Sequence, residues 1–88
     1  MLATEVIEVM PEDLDGGIKR QIVSIVDVAM RMNGISASIS DEDYAKFISE
    51  TCIDKIRDKV EEYYSFMGEL EIKINPEDVR AICGSVVV

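Results

Sequence analysis

Histidine is absent from the 88 residues, and with it go the imidazole-based catalytic triads and proton relays. Cysteine is scarce. Cys52 and Cys83 are the only two, with no CxxC pair, and a zinc centre needs about four ligands, so no metal is expected. Basic residues are half as numerous as acidic ones, 9 against 18, for a net charge of −9. Nucleic-acid affinity depends on Lys and Arg neutralising phosphates, so this chain alone is not expected to bind DNA or RNA. Gly16-Gly17 belongs to neither a GxxxxGK nor a GxGxxG loop. Glu12, Asp13 and Asp15 precede Gly16 without the ligand spacing of a calcium loop; they read as a turn and a cap. No apolar run approaches the roughly 20 residues of a membrane span, and no basic segment followed by a long apolar one marks a signal peptide. No cofactor and no catalytic set emerges, and the chain is not expected to be an enzyme.

The residues present are those of a globular protein. Apolar residues make up 48% and charged ones 31%, too apolar for a disordered chain. The length fits one domain over 1–88, with 1–17 an N-terminal segment of no clear period. A chain this short buries only about 60% of its unfolded surface, and association with another chain is a common remedy. The acidity leaves two readings open: solubility alone, or attraction to a basic protein partner. The expected location is intracellular, the nucleus if the source is eukaryotic and the cytoplasm otherwise.

Along the chain, residues 1–10 fit either a short strand or a helical turn. Pro11-Glu12-Asp13-Leu14 suits a turn, and Asp15-Gly16-Gly17 is a break. A medium helix is expected from Ile18 to Met32, with Ile18, Ile22, Ile25 or Val26, Ala29 and Met30 at helical spacing. Asn33-Gly34 ends it. Ile35 to Ser40 alternates apolar and polar residues as a strand would. Ser40 then caps a long helix from about Asp41 to Met67, with apolar residues at Tyr44, Phe47, Ile48, Cys52, Ile56, Val60, Tyr63, Tyr64 and Met67. Roughly 27 residues at about 1.5 Å each give about 40 Å, more than a chain of this size is expected to cover by itself. The opposite face offers Lys46–Glu50 and Arg57–Glu61 as i,i+4 ion pairs. Glu69 to Ile74 alternates again. Asn75-Pro76-Glu77-Asp78 starts a short last helix, ended near Gly84, and Ser85 to Val88 form an apolar tail.

The expected fold is therefore mainly α: a medium helix, a long central helix and a short C-terminal helix, joined by two short strand-like loops. This order resembles the histone fold. The segment from Ile72 to Ile82 is similar to the second loop and third-helix start of that family, where Ile74, Pro76, Asp78 and Val79 match its T-I/V-x-P-x-D-I/V run. Glu71 and Lys73 stand where DNA-gripping histones carry a basic residue and a threonine. The resemblance is thus to non-nucleosomal members, the TATA-binding-protein-associated factors and kinetochore subunits. It implies a homodimer or heterodimer with a related chain, clasped head to tail, within a chromatin or transcription assembly.

On this reading the chain is a protein–protein interaction module that dimerises through its long helix. The interface residues would be Phe47, Ile48, Cys52, Ile56, Val60, Tyr63 and Tyr64, assisted by strand-like Ile35, Ile39, Ile72 and Ile74. Tyr63, Tyr64 and Phe66 read equally as a partner hot spot or as core. Cys52 and Cys83 read as buried thiols. The alternative function is an acidic inhibitor or adaptor that binds a basic, nucleic-acid-binding surface of another protein.

Overall fold

The computed structural model describes residues 5–68 and 70–84. It is mainly helical, with a small sheet of two strands. Strand β1 (Glu5–Glu8) leads through a 3₁₀ turn (Pro11–Asp13) into helix α1 (Gly16–Met32). A long central helix follows in three parts: α2 (Asp41–Phe47), a π-helical turn (Ile48–Cys52) and α3 (Ile53–Tyr63). A second 3₁₀ turn (Ser65–Met67), strand β2 (Leu70–Lys73) and helix α4 (Pro76–Gly84) complete the chain. The tail expected over Ser85 to Val88 lies outside the described residues, as do residues 1–4 and Glu69.

The helix ends follow local chemistry. Asp15 is a cap rather than a break: its Oδ1 accepts the Ile18 N–H at 3.0 Å, so α1 begins at Gly16. At the other end Gly34 takes the left-handed conformation, φ 63°. Its N–H donates to Arg31 O and the Ile35 N–H to Met30 O, the paired bonds that close a helix C-terminus.

That closure corrects the strand expected over Ile35 to Ser40. Ile35 is held in the helix cap. Ser36 and Ser38 share a side-chain hydrogen bond, and the Ile39 N–H donates to Ser36 O. The Ser40 hydroxyl accepts the Asp43 N–H at the start of α2. Two caps and a turn use the backbone groups that a strand would have offered.

The central helix explains its own interruption. Its buried residues Tyr44, Ile48, Cys52, Ile56 and Val60 recur every four residues. A step of four overshoots a 3.6-residue turn by about 40°, so four steps would turn Val60 about 160° away from Tyr44. In the π turn the Ile53 N–H reaches Ile48 O, which adds a residue to one turn and sets the rotation back by about 100°. The stripe stays on one side. The helix also stops earlier than expected, at Tyr63, and Gly68 with φ 92° turns the chain into β2.

β1 and β2 pair in parallel, with Glu5 opposite Leu70 and Glu8 opposite Lys73. The strand-like segment read at Glu69 to Ile74 thus finds its partner within the chain. Ile72 and Ile74 turn inward while Glu71 and Lys73 face solvent. The core joins these to Val9, Leu14, Ile18, Ile22, Val26, Val79 and Ile82 and to the central stripe, and no polar or charged residue among those described is buried.

α4 is tied down at both sides of its first turn. The Asn75 amide nitrogen donates to Glu8 Oε1 at 3.0 Å and to Asp78 Oδ2 at 3.3 Å. Arg80 pairs with Asp41, donates to Ile39 O at 3.1 Å and lies 4.7 Å from the centre of the Tyr44 ring. One side chain thereby fixes α4 to the start of α2.

Candidate interaction surface

The residues expected at an interface divide by where the fold puts them. Ile48, Cys52, Ile56, Val60, Ile72 and Ile74 are buried within the chain, in contact with its own elements. The central stripe has cover because α1, β2 and α4 all pack on the long helix. Phe47, Tyr64 and Ile39 are half-buried against that core, and Ile35 is half-buried in the cap of α1. Tyr63 is exposed and meets Tyr64 edge to face, ring centres 5.0 Å apart. Phe66, 80% exposed, lies 6.5 Å from Tyr64. Of the aromatic group, Tyr64 serves the core while Tyr63 and Phe66 face outward.

An apolar surface does remain open, on α1. Val28 is 51% and Met32 82% exposed. At about 100° per residue, Ile25, Val28 and Met32 lie on one flank of α1, beside the buried row of Ile18, Ile22 and Val26. Between this flank and the π turn runs a groove of about 410 Å³, within the range of binding clefts. Ile25, Val28, Ala29 and Met32 form one wall, and Thr51, Cys52 and Lys55 the other; Ser24 and Asn33 complete the lining. The π turn shapes this wall, because its extra residue sets how Thr51 and Cys52 face α1. Single π turns of this kind recur at functional sites.

No carboxylate lines the groove, and Lys55 is its one charge. This sets it apart in a chain of net charge −9. Three other clefts among the described residues carry acids: Asp15 and Glu62 beside Tyr63, Asp41 and Glu77 beside Arg80, and Glu71 beside Arg57. The helix surfaces hold ion pairs at Asp27–Arg31, Asp54–Arg57 and Lys59–Glu62. The pairs expected at Lys46–Glu50 and Arg57–Glu61 are not among those formed by the described residues. Glu50 lies within the wide turn itself, and Arg57 turns back to Asp54.

The thiols are quiet. Burial pushes both Cys52 and Cys83 above the ordinary thiol range, which keeps them protonated and weakly nucleophilic at neutral pH. The Tyr44 hydroxyl donates to Cys83 Sγ at 3.8 Å, and burial raises its pKa well above the usual phenol value. Among the described residues no group of three or more Cys, Asp or Glu is placed to hold a metal ion. No helix among them is long and apolar enough to cross a membrane.

The sequence reasoning missed Val28 and the role of Met32. The signal was present. Ile25, Val26, Val28, Ala29, Met30 and Met32 crowd into eight positions, a face wider than one buried row can use. No protein-family model, curated protein or solved structure was found to match this chain.

Proposed function

We propose that this chain is a protein–protein interaction module whose docking face is the groove between α1 and the π turn. The observation that supports it is the exposed pair Val28 and Met32 beside an apolar groove with no carboxylate. Ile25, Val28 and Met32 are spaced i, i+3 and i+7, one apolar flank of a helix, against which the apolar face of a second helix can pack. The occupant this geometry favours is therefore an apolar helical face. The clasped pair implied by the helix order would use the central stripe, which the chain covers itself, so we place the interface on α1.

The test is selection of helical peptides from a random library on the folded chain, with Val28→Glu used for counter-selection. The expected result is binders with apolar residues at i, i+3 and i+7 whose affinity falls at least about tenfold on Val28→Glu, a loss of about 1.4 kcal/mol or more. Circular dichroism should show both proteins equally folded. Failure to obtain any Val28-dependent binder removes the reading.

A second reading draws on a different observation: every described acid lies outside the core. An acidic surface would attract a basic partner over its whole extent, and that affinity would fall steeply with salt.

A further inference from the structure

We propose that the occupant of the groove is a second copy of this chain, the two related by a twofold axis with α1 of each seated against α1 and the π turn of the other. The inference rests on the docking reading above and names its partner. A twofold contact uses the same patch on both molecules, so that patch must carry both a projection and a recess. Val28 and Met32 project from the flank of α1, and the recess between α1 and the π turn lies directly beside them. One patch supplies both halves of the contact.

Charge selects between the possible partners. Two chains of net charge −9 repel each other, and the repulsion is least where acids are fewest. Among the clefts of the described residues, the groove, lined by one lysine and no carboxylate, is best suited to meet another acidic molecule. A basic partner would be drawn instead to the acid-bearing clefts around Asp15, Asp41 and Glu71. The helix that the spacing of Ile25, Val28 and Met32 calls for is also present in the copy: α1 itself, 17 residues without interruption, about 25 Å long. A contact of that length lies at the small end of specific interfaces. Weak, reversible association is the behaviour expected of so small a contact.

The sign of its salt dependence is distinctive. Screening removes repulsion between like-charged copies, so association strengthens as salt rises. A complex of this chain with a basic protein would weaken.

The experiment is light scattering of the whole chain across a concentration range at low and moderate salt, on the wild type, Val28→Glu and Phe66→Ser. The expected result is a mass that doubles with concentration and a dissociation constant that tightens with salt. Val28→Glu should weaken association at least about tenfold with its helical circular dichroism intact, and Phe66→Ser should leave it unchanged. A wild type that stays monomeric throughout overturns the inference, as does a dimer that survives Val28→Glu but is lost with Phe66→Ser.

Fluorescence of anilinonaphthalenesulfonate separates this failure from that of the docking reading. A monomer that binds the dye and loses it with Val28→Glu has an open groove for some other protein. A monomer that shows no Val28-dependent dye binding loses both.

Discussion

The central helix and α1 each carry a row of apolar side chains, and the two rows have opposite fates. Tyr44, Ile48, Cys52, Ile56 and Val60 are covered by α1, β2 and α4. Val28 and Met32, on the flank of α1, stay 51% and 82% exposed. Residue type and spacing are much alike in the two rows. What differs is the number of neighbours that the chain can bring to each. Apolar periodicity thus identifies which side of a helix avoids water, while chain topology decides whether that side ends as core or as contact surface.

The comparison breaks most directly at Ile56. Ile56→Glu places an unpaired charge at a fully buried position, which should cost more than about 4 kcal/mol. A domain of this size has only about 5–15 kcal/mol in total, with small domains at the low end. The expected outcome is loss of the cooperative unfolding transition in urea. Val28→Glu should leave that transition in place. If Ile56→Glu folds as well as Val28→Glu does, the distinction between covered and uncovered rows is wrong.

A finer test removes the π turn and keeps the stripe. Deleting Glu50, which is exposed, changes the spacings from Tyr44 to Val60 from four fours to four, three, four and four. An uninterrupted α-helix would then hold the row within about 80°. The core should survive, with a melting midpoint within about 5 °C of the wild type. The wall formed by Thr51 and Cys52 should move, and Val28-dependent association should weaken about tenfold. A deletion that melts as expected and associates like the wild type would show that the π turn has no part in the groove.

The smallest effect distinguishes how the two helices begin. Ser40 caps α2 with a hydroxyl and Asp15 caps α1 with a carboxylate. The hydrogen bond from the Ile18 N–H holds the Asp15 carboxyl below the usual range. A group whose pKa is lowered on folding stabilises the folded state above its unfolded value, near 4. That contribution is lost as the pH falls through the lowered folded value. Urea midpoints of the wild type and Asp15→Asn should therefore differ by a constant amount above about pH 5 and converge at lower pH. A gap that stays constant down to pH 2 would mean that the Asp15 charge contributes nothing.

Much of this fold was legible in the sequence, because caps and periods are local. Asn33-Gly34, Ser40 and Asn75-Pro76 marked boundaries that hold to within a residue or two. The strand expected at Ile35 to Ser40 failed because an alternating hexapeptide can also be two caps and a turn, and only the Ile35 N–H bond to Met30 O decides between them. Less of the candidate site could be read. The strict four-residue spacing from Tyr44 to Val60 hinted at a wide turn, but its consequence is a groove against α1. That groove depends on a neighbour no local pattern names. The intrachain partner of β2 was likewise hidden, since β1 is a short segment of mixed period far away in sequence.

That distance has a consequence for the order in which the molecule can assemble. Glu5 pairs with Leu70 and Glu8 with Lys73, so the sheet closes a loop that contains α1 and the whole central helix. The entropy lost in closing a long loop must be overcome before the contact rewards it. Helix formation is local and takes about a microsecond or less, well before distant strands meet. On a ribosome the asymmetry is sharper still: β1 emerges well before β2, with α1 and the whole central helix made in between. Until β2 follows, the edge of β1 is open to any other strand nearby.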